Sequence, residues 1–133
     1  MIQALGGAIP AETYASRDLV FIFPHADDVR DLKPDFATML EIEYGDGVIV
    51  SAPGTDSDLV VRAFFPKQLT DEDPVCGSAH CNLVPYWSQR LGKKELISHQ
   101  LSERQGLLRC RDKGDQVGVA GQIVMYSIGE IAV

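Results

Sequence analysis

Eight consecutive residues, Glu72 to Ala79 (EDPVCGSA), bring acid, thiol and anion-binding groups together in one short segment. Gly77 and Ser78 form a small-residue turn where a helix is expected to begin. The first backbone amides of a helix have no partner within it, so they can bind an anion. Cys76 would lie at the positive end of the helix dipole, which favours thiolate over thiol. Asp73 could act as a general acid or base if burial raised its pKa.

Each of these residues also has a purely structural interpretation. Cys76 could be a small residue that fills the start of the helix, and Asp73 could cap the helix through its side chain while still serving as an acid or base. His80 falls within the apolar arc of the expected helix, which favours a buried core histidine over a catalyst. Cys81 and Cys110 are expected to be packing residues.

The helix that positions this turn is predicted over residues 78–91. At about 100° per residue, six apolar side chains form one broad arc: Ala79, Leu83, Val84, Tyr86, Trp87 and Leu91. Pro85 should bend the helix, and Gly92 should end it. So broad an apolar arc predicts a helix that lies inside a curved sheet.

Short apolar runs bounded by Gly, Pro and Asp predict the strands of that sheet. Residues 58–65 (DLVVRAFF) are apolar on both alternating faces, which indicates a central strand. Asp58 and Arg62 then project from one side of it, either as substrate-binding groups or as a structural ion pair. The other expected strands are 11–17, 18–23, 48–50, 95–101, 107–111, 116–119 and 123–128, with short helices at 26–32 and 35–43.

Composition limits the possible function classes. A length of 133 residues fits one domain, and we treat residues 1–133 as such. The net charge of −7 argues against binding to nucleic acid or to an anionic membrane. No apolar run is long enough to span a membrane, and the first residues do not resemble a secretory signal. Three cysteines without metal-type spacing suit reduced thiols, so we expect a cytoplasmic protein.

Four segments in order carry a resemblance to a known family: DLVVRAFFP (58–66), EDPVCGSAH (72–80), PYWSQRLGKKEL (85–96) and QLSERQG (100–106). The chain resembles the phenazine-biosynthesis PhzF-like family, which has the diaminopimelate epimerase fold. The match is to the C-terminal half only, since family members are about twice this length. The resemblance implies an α+β fold in which a curved, mostly antiparallel sheet wraps around the central helix at about 78–91.

The resemblance also implies isomerase chemistry, in which a proton moves at a carbon next to a carboxylate without metal or organic cofactor. Asp73 and Ser78 match family positions directly. Cys76 stands where the family commonly has threonine, and where related epimerases and proline racemases place a thiol that moves the substrate proton. The catalytic residues expected on this basis are Asp73, Cys76 and Ser78. The expected substrate-binding residues are Gly77, Ser78, Ala79, Asp58 and Arg62.

The resemblance places the principal acid/base, a glutamate, in the N-terminal half of the family. If the substrate is a small-molecule carboxylate, as the resemblance implies, a second surface must therefore complete the cleft that binds it. An identical copy could complete it as a homodimer with a true twofold axis, or a separate N-terminal half could do so. The alternative is a catalytically silent module or remnant that only binds a small anion.

Overall fold

One seven-stranded sheet organises the fold in the computed structural model, which describes residues 2–132. The strands lie side by side in chain order. Four neighbouring pairs are antiparallel, and the β2/β3 and β4/β5 pairs are parallel. The strands are β1 (Glu12–Ala15), β2 (Leu19–Ile22), β3 (Val48–Pro53), β4 (Leu59–Phe64), β5 (Glu95–Gln100), β6 (Gly106–Asp112) and β7 (Val117–Gly121).

Helices supply the crossovers that the two parallel pairs require. The short helices α1 (Ala26–Arg30) and α2 (Phe36–Leu40) connect β2 to β3, and α3 (Ala79–Leu91) connects β4 to β5. Two 3-10 turns lie at Gln3–Leu5 and Pro66–Gln68. No helix in the described part of the chain has both the length and the apolar character needed to cross a membrane.

The sheet wraps around α3, as predicted. Buried side chains from β2, β3, β4, β5 and β6 form one core cluster with Ala79, Leu83 and Trp87 of the helix. At the two ends of the sheet, Tyr14 of β1 packs on Tyr86 with ring centroids 5.4 Å apart, and a residue of β7 packs against the same cluster. The fold is therefore the α+β half expected from the sequence.

The helix begins and ends close to the predicted positions. Gly92 takes the left-handed conformation (φ 66°) that ends it, and Pro85 lies inside it. Two side chains differ from the expected arc, because Leu91 is exposed whereas Ser88 is buried. The Ser88 hydroxyl donates to the Lys93 carbonyl at 2.8 Å, which satisfies it in the interior.

Strand β4 is central, and its side chains alternate as predicted. Leu59, Val61 and Ala63 face the α3 cluster, whereas Val60 and Phe64 belong to a second cluster with α1 and α2. Both faces of this strand are consequently covered by helices and core residues.

Two further expectations are wrong. Residues 123–128 form no strand, and their apolar side chains project into solvent, with Tyr126 99% exposed. Their composition suits a strand, but a strand needs a partner edge, and none pairs with them in the described chain. Cys81 is exposed rather than packed, because it lies on the side of α3 away from the buried residues.

Candidate functional site

The predicted turn runs from the neighbourhood of β4 to the start of α3, and Asp73 fixes its first part. The Asp73 amide donates to the Ala63 carbonyl at 2.9 Å, which ties the turn to the last residues of β4. Its Oδ1 accepts from the Val75 amide at 3.0 Å, the bonding of an Asx turn. Asp73 therefore caps the turn that precedes the helix and not the helix itself, and its side chain is half-buried.

Gln100 connects the backbones of the two main candidate residues. Its side chain is fully buried at the end of β5. Oε1 accepts from the Cys76 amide at 2.7 Å, and Nε2 donates to the Asp73 carbonyl at 2.5 Å. Ser102 adds a third bond, from its hydroxyl to the Pro74 carbonyl at 2.6 Å. Because every polar end is satisfied, this network fixes Asp73 relative to Cys76.

His80 is a buried core histidine, as predicted, and it also holds the turn. Its Nδ1 lies 2.7 Å from the Cys76 carbonyl and its Nε2 lies 2.8 Å from the Ser98 hydroxyl. A carbonyl only accepts, so we assign the proton to Nδ1, with Nε2 accepting from Ser98. Burial lowers the pKa of His80, which keeps the ring neutral.

Burial at Cys76 favours the thiol over the thiolate, opposite to the effect of the helix dipole. Its side chain is 2% exposed, with Sγ 3.4 Å from the Ser78 hydroxyl. Burial raises the pKa of Cys76, and the charge of Asp73 adds to this effect. The Ser78 hydroxyl and the Ala79 amide act in the opposite direction but do not prevail. Desolvation therefore outweighs the hydrogen bonds that would stabilise a thiolate at this position.

Two of the three predicted anion-binding amides are open. In the described part of the chain, the amides of Gly77 and Ser78 donate to no other group. A side chain built on Gly77 would meet nothing within 4 Å, so space lies in front of the turn. The third amide, of Ala79, interacts with the Cys76 sulfur and belongs to a buried residue.

The structure brings Arg62 to Glu72, the first residue of the segment, and leaves Asp58 away from it. Arg62 forms a two-pronged ion pair with Glu72, at 2.7 and 2.9 Å, and donates to the Leu32 carbonyl. Asp58 pairs with Lys93 at 2.5 Å. Asp58 lies five residues from Ala63, the residue of β4 to which the Asp73 amide is bonded. Five residues of extended backbone span about 16 Å. Both residues form ion pairs, though not with each other as the sequence suggested.

The family comparison agrees with this architecture. A family model described as "Phenazine biosynthesis-like protein" matches residues 3–129. The chain belongs to the phenazine biosynthesis-like family. An uncharacterized isomerase of Pseudomonas aeruginosa is 44% identical over 130 residues, covering 97% of this chain and 49% of that protein.

Two crystal structures of phenazine biosynthesis-like proteins share the fold. The Clostridium difficile protein matches with a TM-score of 0.86 and 39% identity, over 97% of this chain and 50% of its own. A PhzF-family protein of Enterococcus faecalis matches with a TM-score of 0.82 and 40% identity, over 91% and 50%. The chain thus spans about half the length of the relatives it matches.

Sequence reasoning missed several residues that contact the turn of this phenazine biosynthesis-like chain. Gln100 had a usable signal, since it is polar yet falls on the inward face of a predicted strand beside Leu96 and Ser98. Arg17 had none, although its Nη2 lies 3.2 Å from the Ser78 hydroxyl. The same nitrogen lies 3.3 Å from Asp18, a carboxylate that is 1% exposed.

Metal ligation is not suggested by the described side chains. Among residues 2–132, no three His, Cys, Asp or Glu side chains meet in an arrangement that could hold a metal ion. The groups that do meet at the turn are a carboxylate, a thiol, a hydroxyl, the Arg17 guanidinium bonded to that hydroxyl, and two open amides.

Proposed function

We propose that this turn is one wall of an isomerase site that moves a proton at a carbon next to a carboxylate. The observation that carries the proposal is the pair of open amides, Gly77 and Ser78, adjacent to the half-buried carboxyl of Asp73. Family membership supports it, since relatives are named isomerases. Asp58 and Arg62 take no part in this proposal, because their polar atoms already have partners.

Each group at the turn has a definite role in this reaction. The amides of Gly77 and Ser78 hold the substrate carboxylate and stabilise the negative charge that spreads onto it when the neighbouring carbon loses its proton. Asp73 takes that proton through Oδ2, since Oδ1 is bonded to the Val75 amide. Cys76, with its raised pKa, serves as the thiol that gives a proton back, and the Ser78 hydroxyl beside Sγ stabilises the resulting thiolate. The proton on Asp73 then passes to this thiolate, with which Asp73 interacts, and both groups return to their starting forms.

A second polypeptide surface completes the cleft in this proposal. An identical copy would bring a second Asp73 and Cys76 across a twofold axis, and a separate N-terminal half would bring its own acid or base. Sedimentation velocity at increasing protein concentration tests the first case, and co-purification from the source cells tests the second. The three free cysteines agree with a reducing compartment such as the cytoplasm.

The decisive experiment is incubation in heavy water with a panel of amino acids and cyclic hydroxy acids, followed by NMR for deuterium at the carbon next to the carboxylate. Asp73→Asn and Cys76→Ser should each reduce the exchange rate by at least about 100-fold. Two matched controls, Asp71→Asn and Cys81→Ser, change exposed residues of the same types and should retain it. Equal losses in the controls would contradict the assigned roles.

A second candidate is a silent small-anion-binding module, favoured by the near-complete burial of Cys76. The module predicts that acetate shifts the amide resonances of Gly77 and Ser78 while no member of the panel gains deuterium. Exchange by the wild-type chain would eliminate this candidate.

A further inference from the structure

A cleft of about 1000 Å³ lies on the outer face of β5, β6 and β7, on the side of the sheet away from α3. Inward-facing residues of these strands, such as Leu96, pack on the helix, so the cleft is formed mainly by the residues that alternate with them, although buried Leu108 also borders it. Of the residues 73–79 at the candidate turn, only Val75 lines it. Its size is within the range of small-molecule sites.

The strand register places apolar and cationic side chains next to each other in this cleft. Arg109 of β6 lies directly opposite Ile97 on one side and Ala120 on the other, and His99 lies opposite Leu107. Directly opposed residues have Cβ atoms about 5 Å apart. The small side chain of Ala120 gives the cleft depth, while Leu107 is 63% exposed and Ile97 is 38% exposed.

The charge of the cleft is opposite to that of the chain. Its titratable lining residues are His99, Arg104 and Arg109, with no carboxylate among them, although the chain carries 19 acidic against 12 basic residues. In the described part of the chain, the side chains of Arg104 and Arg109 form neither an ion pair nor a hydrogen bond, whereas the backbone of Arg109 is paired within the sheet. Arg111, the next outward-facing residue of β6, instead pairs with Glu95 at 3.4 Å.

We propose that this cleft binds a small organic anion that carries an apolar body. The anionic group contacts the guanidinium groups of Arg104 and Arg109, whose fixed N–H donors suit carboxylates and related anions. The apolar body covers the exposed side chains of Ile97 and Leu107, which both lie next to the guanidinium-bearing residue Arg109 on this face. This site is separate from the proton-transfer turn, and it can exist whether or not the turn is catalytic.

The test is a titration of the ¹⁵N-labelled full chain with sodium benzoate, and with benzyl alcohol as a neutral probe of similar shape. Benzoate should shift the amide resonances of Leu107, Ala120 and Gly121, with affinity at least about fivefold above that of benzyl alcohol. Arg109→Gln and Arg104→Gln should each weaken benzoate about tenfold.

Arg111→Gln is the matched control, since it removes the same charge from the same strand outside the cleft. It should change the affinity less than twofold, and Arg109→Lys should lie between the wild type and Arg109→Gln. Benzoate bound at the turn instead shifts Gly77 and Ser78 and is insensitive to Arg109→Gln, so the two sites are distinguished.

Three results would overturn the proposal. One is the absence of benzoate shifts at Ala120 and Gly121. Another is an equal loss of affinity in Arg111→Gln. The third is a change of these resonances with protein concentration in the absence of benzoate, which would show that the outer face of β5, β6 and β7 binds another copy of the chain.

Discussion

The turn before α3 and the segment after β7 are both irregular backbone, but they are held in opposite ways. The turn has few apolar residues, yet buried side chains of Gln100 and His80 bond to its backbone. Residues 122–132 are rich in large apolar side chains, yet Ile123 is 94% exposed. Irregular backbone is therefore fixed by polar partners in the interior, whereas apolar content without a partner surface fixes nothing.

Loss of the Gln100 side-chain amide should produce the largest change in stability, because it removes the interior hydrogen bonds that distinguish the turn from the terminal segment. Gln100→Leu leaves the Cys76 amide and the Asp73 carbonyl without partners in a buried site. We expect a loss of about 3 kcal/mol in the free energy of unfolding, measured by urea denaturation. Gln116→Leu, the same change at an exposed position, should cost less than about 0.5 kcal/mol.

Thiol reactivity tests how firmly the turn is closed. Burial raises the pKa of Cys110 to about 11, and it also raises the pKa of Cys76. For Cys110 the raised pKa lowers the thiolate fraction about 100-fold, so iodoacetamide at pH 8 should leave it nearly unmodified. Exposed Cys81 should be labelled first, and buried Cys76 more slowly than Cys81. Mass spectrometry after brief labelling identifies the sites, and labelling in urea should modify all three. Fast native labelling of Cys76 would mean that the turn opens.

Acid should loosen the turn through His80. Burial lowers its pKa from 6.5, so the unfolded chain takes up the proton at a higher pH than the folded chain does. The contribution of neutral His80 to the free energy of unfolding is then fully present above about pH 6.5. It falls as the pH drops toward the pKa that His80 has in the folded chain, by up to about 1.4 kcal/mol per pH unit.

Urea denaturation between pH 7 and pH 5 measures this slope. His80→Gln should flatten it, and His25→Gln, at the exposed start of α1, should retain it. A slope that persists in His80→Gln would assign the pH dependence to another group.

Removal of residues 123–133 should have the smallest effect. The described side chains of this segment are exposed, so their loss should change the free energy of unfolding by less than about 0.5 kcal/mol at low protein concentration. A larger loss that grows with protein concentration would show that the segment binds another copy, and the contrast with the turn would then disappear.

The parts of the fold that could be predicted were those governed by local periodicity. The apolar arc gave α3 to within a residue, and the alternation of Leu59 to Phe64 gave a central strand with two covered faces. Periodicity also predicted a strand at 123–128, and this failed because a strand depends on an edge elsewhere that no local pattern reports.

The candidate site was predicted only in part, for a related reason. The order of Asp73, Cys76 and Gly77 indicated the turn and its open amides directly. The protonation of Cys76 could not be predicted, because it depends on how deeply the core covers the sulfur. The hydrogen bonds of Gln100 to Cys76 and of Arg17 to Ser78 could not be predicted either, because they join residues that are 24 and 61 positions apart in the chain.

Parallel pairing of β4 with β5 has a mechanical consequence for any incoming molecule. The chain leaves β4, passes through residues 73–78, forms α3 and returns along β5, so both exits of this loop are anchored to adjacent strands. The two ends of this connection cannot move apart without breaking the hydrogen bonds between β4 and β5. Residues 73–78 therefore form a rigid surface, and a molecule that binds there must adapt its own shape to it.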